Sequence, residues 1–117
     1  MSDVKHVSVQ AFAELFANKA EFLLLDVRDA WELEEANLSD VANKANVKVI
    51  QIPVRQLETR MAEVPKDTAI VCMCHHGGRS KQAALMLSYA GYSDVTNVVG
   101  GIHEWSAKID SSVPIYD

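Results

Sequence analysis

An apolar run, Thr68-Ala69-Ile70-Val71-Cys72-Met73, breaks off into the loop Cys74-His75-His76-Gly77-Gly78-Arg79-Ser80. The loop passes into Lys81-Gln82-Ala83-Ala84-Leu85-Met86-Leu87-Ser88-Tyr89-Ala90-Gly91. The first segment reads as a buried strand and the last as a helix closed by a glycine. A cysteine is therefore delivered from a strand end onto a glycine-containing loop that feeds a helix N-terminus. Free backbone N–H groups and the helix dipole favour negative charge there. Such a position favours a thiolate and cradles an anion, which calls for a nucleophilic cysteine and an anionic substrate or intermediate.

The rest of the chain repeats the alternation of strand and helix. Residues 5–7 read as a short strand. Ser8 is placed to cap a helix over 9–17, with Phe12, Leu15 and Phe16 on one face. Residues 21–27 carry Phe22-Leu23-Leu24-Leu25, a continuous run suited to a strand covered on both faces. Asp29 starts a short helix through Trp31, Leu33 and Glu34. Residues 37–48 show no period and read as loop. A third buried strand over 49–52 stops at Pro53. A helix follows over 54–61 with Leu57 and Met61 inward. After the cysteine loop come a strand over 94–99, a turn at Gly100-Gly101 and a last helix over 103–108. The pattern predicts an α/β fold: a mostly parallel five-stranded central sheet flanked by helices on both faces. In such sheets the active crevice lies at the carboxyl ends of the strands, where Cys74 sits.

Composition narrows the function. With 117 residues the chain supports one domain and one core, spanning 1–117. A net charge of -5 excludes general nucleic-acid binding and means that an anion must be held by a local field. The start, Met1-Ser2-Asp3-Val4-Lys5-His6, lacks the apolar core of a leader, and no run reaches membrane-spanning length. The expected setting is cytoplasmic and reducing, without a membrane partner. There the two cysteines are expected as thiols. Residues 32–40 and 113–117 are the candidate loose parts.

Several motifs together resemble the rhodanese-like sulfurtransferases. Cys74-x-x-Gly77-x-Arg79-Ser80 is similar to the family's active loop, and Leu25-Asp26-Val27-Arg28 to its Asp-Val-Arg strand end. Gly100-Gly101-Ile102-x-x-Trp105 resembles its Gly-Gly-x-x-x-Trp turn, and Val113-Pro114-Ile115 a common close. One departure stands out: Asn37 occupies the place of an expected histidine, and the following connection is longer than usual.

The resemblance implies that Cys74 attacks the outer sulfur of a donor such as thiosulfate, becomes a persulfide and yields the sulfur to a thiophilic acceptor, with cyanide as the acceptor in vitro. It implies that the N–H groups of His75, His76, Gly77, Gly78, Arg79 and Ser80 converge on the anionic sulfur. Arg79 would supply a fixed positive charge for donor oxygens, with Lys81 at the rim and a protonated His75 or His76 assisting. No cofactor is implied. A transient sulfur-relay protein partner, docking on residues 37–48, is a further expectation. Protein tyrosine phosphatase loops are longer by one residue between cysteine and arginine, so the tighter ring here suits a sulfur atom better than a phosphate. A non-enzymatic binding module of the same fold is the reading from another class.

Blander roles are expected elsewhere. Strand alternation makes Cys72 core filler, with a resolving thiol as the alternative. No metal site is expected, because His6 and His103 have no partner at ligand spacing. Asp26 and Arg28 read as a structural pair, Trp31 and Trp105 as packing, and Glu32, Glu34, Glu35 and Asp40 as a solvated acidic face. Gly100-Gly101 is first a turn and second a wall of the crevice.

Overall fold

In the computed structural model, residues 4–117 are described. Residues 1–3, part of the stretch read above as lacking a leader core, lie outside them. The elements run β1 (Val4–Val7), α1 (Val9–Ala17), β2 (Leu23–Asp26), α2 (Ala30–Glu35), α3 (Ser39–Lys44), β3 (Lys48–Gln51), α4 (Leu57–Arg60), β4 (Ile70–Met73), α5 (Gly78–Tyr89), β5 (Val95–Val98) and α6 (Gly101–Lys108). The sheet order is β1-β5-β4-β2-β3, and every pairing is parallel. β4, which leads to the cysteine, is the central strand, flanked by β2 and β5.

Alternation along the strands divides the core into two layers. Leu24, Val71, Met73 and Val98 face one side, where α1, α3 and α6 pack through Phe12, Phe16, Ala42, Ile102 and Trp105. Leu23, Leu25, Ile70, Cys72 and Val95 face the other, against Leu57 of α4 and Ala83, Ala84 and Leu87 of α5. The five-stranded sheet with helices on both faces is thus the architecture the alternation predicts. Ser8 caps α1 as read, its hydroxyl accepting from the Ala11 N–H at 3.1 Å.

Four local readings need correction. Residues 37–48 are not a loop, because α3 occupies Ser39–Lys44. Asn37 stands just before its N-cap, Leu38: the Asn37 side-chain oxygen accepts from the Ser39 N–H at 3.0 Å and hydroxyl at 2.5 Å, while its amide donates to the Leu33 carbonyl at 3.0 Å. A helix of six residues with one buried position, Ala42, is too short to show a period. β3 is a partly exposed edge strand rather than a buried one. The helix expected over 54–61 shrinks to one α turn, Leu57–Arg60, between two 3-10 turns. Residues 113–117 are not wholly loose, since Tyr116 is buried.

Phe12 is fully buried and meets Phe16, Phe22 and Trp105 with ring centroids 4.9, 6.2 and 5.4 Å away. Phe12→Ala is expected to cost about 3–5 kcal/mol, through lost transfer energy and a residual cavity. Equilibrium urea denaturation checks this, and a loss below about 1 kcal/mol would mean that the aromatic cluster collapses to fill the space.

Candidate active site

The chain leaves β4 at the carboxyl edge of the sheet, and Cys74 keeps the strand's alternation. Its side chain lies in the same apolar layer as Cys72, on the α5 side. The Gly77 N–H donates to Sγ of Cys74 at 3.0 Å, and Sγ lies 3.4 Å from Oγ of Ser80. Oγ of Ser80 is in turn 2.5 Å from Oδ1 of Asn97 on β5 and 3.2 Å from the Gly77 carbonyl. The Asn97 amide nitrogen lies 3.2 Å from Nδ1 of His6. Gly77 turns the chain at φ 111°, a conformation in which a side chain is strained. α5 begins at the next residue, three residues earlier than the helical run in the sequence suggests, so Arg79 and Ser80 belong to its first turn. Cys74 is 1 % exposed, so a donor reaches the sulfur only after some displacement of the loop.

The start of α6 closes the other side. The Ile102 N–H donates to the Cys74 carbonyl at 2.9 Å and the His103 N–H to the His75 carbonyl at 3.0 Å. N–H groups left without partners at a helix start are satisfied by the reactive loop itself. The approach is so close that a Cβ on Gly101 would run into the carbonyl oxygens of Cys74 and His75. Gly101 is therefore a wall of the site as well as a turn.

A buried polar network backs the loop. Arg79 is not a free cation: its Nη1 and Nη2 donate to the two carboxylate oxygens of Glu32, each at 2.7 Å. Glu32 also accepts from the Asp29 N–H at 2.8 Å and the Tyr116 hydroxyl at 3.0 Å. Burial alone would raise the Glu32 pKa, but the Arg79 hydrogen bonds, the Asp29 N–H, the Tyr116 hydroxyl and the Arg79 charge outweigh it and bring it to about 2. Arg28, fully buried, donates through Nη1 to the Tyr116 hydroxyl at 3.0 Å and through Nη2 to Asp26 at 2.7 Å. Burial pushes the Tyr116 phenol up to about 12, with Glu32 adding to and Arg28 opposing that rise. Asp26 and Arg28 are thus the structural pair the sequence suggests. Glu32 does not belong to the solvated acidic face, because Arg79 and Tyr116 hold it inside. Trp31 packs edge-on against Tyr116, ring centroids 6.2 Å apart, while 54 % exposed, and Trp105 is buried.

His75 stacks on Tyr116, with centroids 3.9 Å apart and planes 6° from parallel, and its Nε2 meets the Tyr116 carbonyl at 2.8 Å. Burial and the neighbouring His76 lower its pKa, against smaller opposing effects of the Tyr116 carbonyl and Glu32. The imidazolium form expected to assist an anion is thereby disfavoured at His75. His76 is exposed. Cys72 is fully buried, and burial, with the charge of Cys74 adding, pushes its thiol up to about 12. That suits packing and not a resolving nucleophile. Of the residues predicted from sequence, the fold brings Cys74, Gly77 and Ser80 into direct contact. Glu32, Asn97, His103 and Tyr116 join the site only in the folded chain. Of these, Glu32 gives a local signal, three residues after Asp29 as in a capping box.

Comparison with known proteins agrees with this geometry. The model of the rhodanese-like domain matches residues 8–108. The chain belongs to the rhodanese-like domain family. It is 31 % identical to a sulfurtransferase of Allochromatium vinosum over 103 residues, covering 88 % of this chain and 89 % of that protein. It is 30 % identical to the putative sulfur carrier protein YrkF of Bacillus subtilis over 109 residues, covering 93 % of this chain. The chain spans about half the length of YrkF, 55 %. Among solved structures, reduced Bacillus anthracis CoADR-RHD superposes with a TM-score of 0.76 at 30 % identity, over 97 % of this chain and 18 % of that one.

Two outcomes test the architecture of this rhodanese-like site. The Glu32 pKa falls from 4.5 to about 2 on folding, so its contribution is complete above about pH 4.5 and is lost as pH falls toward 2. That contribution is roughly 3 kcal/mol. Urea midpoints measured from pH 7 to pH 2.5 are expected to fall along this limb, and Glu32→Gln is expected to lower stability at pH 7 and flatten the limb. An unchanged slope in the variant would assign the acid sensitivity to other groups. Gly101→Ala is expected to separate α6 from the loop, and faster amide exchange at Ile102 and His103 is the measurement that checks it.

Proposed function

We propose that this chain is a sulfurtransferase that carries a sulfane sulfur on Cys74. The carrying observation is the position of Sγ: it lies at the carboxyl end of the central strand, held by the Gly77 N–H at 3.0 Å and beside the Ser80 hydroxyl at 3.4 Å. Membership in the rhodanese-like family and likeness to a sulfurtransferase and a putative sulfur carrier support the same reading.

With thiosulfate as donor, the Cys74 thiolate attacks the outer sulfur and the S–S bond of the donor breaks. Sulfite leaves with the bonding electron pair, and the new Sγ–S bond makes a persulfide. An acceptor such as cyanide then attacks the terminal sulfur, thiocyanate leaves, and the thiolate is regenerated. Charge balances in both steps, and no oxidant is consumed. The anionic sulfur needs hydrogen-bond donors. The Gly77 N–H is in place, the Ser80 hydroxyl can rotate to donate, and Gly78 and Arg79 open α5 with N–H groups that have no intrahelical partner. The Arg79 charge is largely answered by Glu32, so its part is to hold the loop, leaving the main stabilisation of the sulfur to these dipoles. Protein persulfides as donors, and a sulfur-relay partner as acceptor, fit the same chemistry. The two free buried thiols suit a reducing, cytoplasmic setting.

Thiosulfate:cyanide transfer by the native chain, Cys74→Ser and Cys72→Ser tests the reading. Activity is expected to vanish in Cys74→Ser and to persist in Cys72→Ser. Donor-treated native protein is expected to gain about 32 Da, one sulfur atom, which cyanide removes. One observation favours a non-catalytic binding module, the near-complete burial of Cys74. Neither turnover nor adduct with any sulfane donor would put that reading first.

A further inference from the structure

We propose that His75, His76 and His103 form a binding site for one divalent transition-metal ion of borderline softness, such as Zn²⁺. The three residues are brought together only by the fold. His75 and His76 follow the nucleophile, while His103 is the third residue of α6. One ring nitrogen from each lies within 4.8 Å of those of the other two. The ring centroids are 4.0 Å apart for His75 and His76, 4.7 Å for His76 and His103, and 5.9 Å for His75 and His103.

Three features favour an ion over a chance cluster. First, the backbone already fixes two of the ligands relative to each other, because the His103 N–H donates to the His75 carbonyl at 3.0 Å. Second, Nε2 of His75 faces the Tyr116 carbonyl at 2.8 Å. A carbonyl only accepts, so the proton sits on Nε2 and Nδ1 keeps its lone pair. Metal-bound histidines are oriented by an outer carbonyl in the same way. Third, Nδ1 of His103 is buried without a hydrogen-bond partner, a cost that ligation at Nδ1 would remove.

Tetrahedral ligation with bonds of about 2.0–2.1 Å needs nitrogens about 3.3 Å apart. The ligand atoms lie within 4.8 Å of one another, so binding draws them together by up to about 1.5 Å, through turning of the exposed His76 and a small shift of His103 toward His75. Three imidazoles suit Zn²⁺, Cu²⁺ or Ni²⁺ over Mg²⁺ or Ca²⁺, and they leave a fourth position open. Cys74 is absent from this set, because its sulfur points into the opposite layer, toward α5. A bound ion would tie the residues after Cys74 to α6. The inference stands whether or not the chain transfers sulfur.

The test is titration of the reduced, tag-free chain with Zn²⁺ against a chromophoric chelator. One equivalent is expected to bind the native chain and Cys74→Ser alike. His76→Ala and His103→Ala are expected to weaken it at least about tenfold, no less than the loss of an outer-shell partner costs. His6→Ala is expected to bind as the native chain does. Because His76 is exposed, His76→Ala keeps the test decisive should His103→Ala fail to fold. No stoichiometric binding by the native chain would overturn the proposal. So would native-like affinity in His76→Ala, or loss of binding in Cys74→Ser, which would place the ion on the thiolate.

Discussion

The carboxylate of Glu32 joins parts of the chain that are far apart in sequence. It receives both Arg79 nitrogens from the first turn of α5, the Asp29 N–H from the start of its own helix and the Tyr116 hydroxyl from the C-terminal segment. A buried carboxylate is stable only when its charge and lone pairs are answered, and here all of them point inward from structural elements. The arrangement therefore fixes where α5 begins, and with it where the Ser80 hydroxyl and the Gly77 N–H lie relative to Cys74. Arg28 and Asp26 extend the same network to the end of β2.

On the other side of the loop the constraint is steric. α6 starts so close to residues 74 and 75 that only a hydrogen fits at the Cα of Gly101. Two helix N–H groups and two loop carbonyls satisfy one another across that gap. The reactive loop is thus clamped between an ion pair and a helix end. Its Arg79 charge is answered by Glu32, and burial disfavours a charge on His75. Under the proposed function, stabilisation of a negative sulfur would rest on preorganised dipoles, which work well in a site from which water is excluded. Burial of Cys74 supplies that exclusion and also requires the loop to yield when a donor arrives.

Much of the fold was legible because it follows from short-range chemistry. Short strands, the inner ones buried throughout, alternating with helices admit few arrangements other than a parallel sheet covered on both faces. The Ser8 cap, the strand before Cys74 and the helix after it were read from local pattern, and they are present. α3 was missed because six residues with a single buried position leave no period, and the edge position of β3 cannot be read from its four residues. Glu32 was misread for a different reason. An acidic residue among other acidic residues looks solvated until its cationic partner, 47 positions away, is seen beside it.

The sequence by itself determined the cysteine that we propose as nucleophile, the glycine turn that follows it, the α/β layering and the resemblance to the rhodanese-like family. These are properties of contiguous residues, set by hydrophobic period, backbone freedom and the chemistry of one side chain. Only the tertiary structure decided that Arg79 is spent on Glu32, that Tyr116 is an anchor and that His103 stands beside His75 and His76. Each of those depends on which distant segments the parallel crossovers bring together at the carboxyl edge of the sheet, and nothing local encodes that meeting.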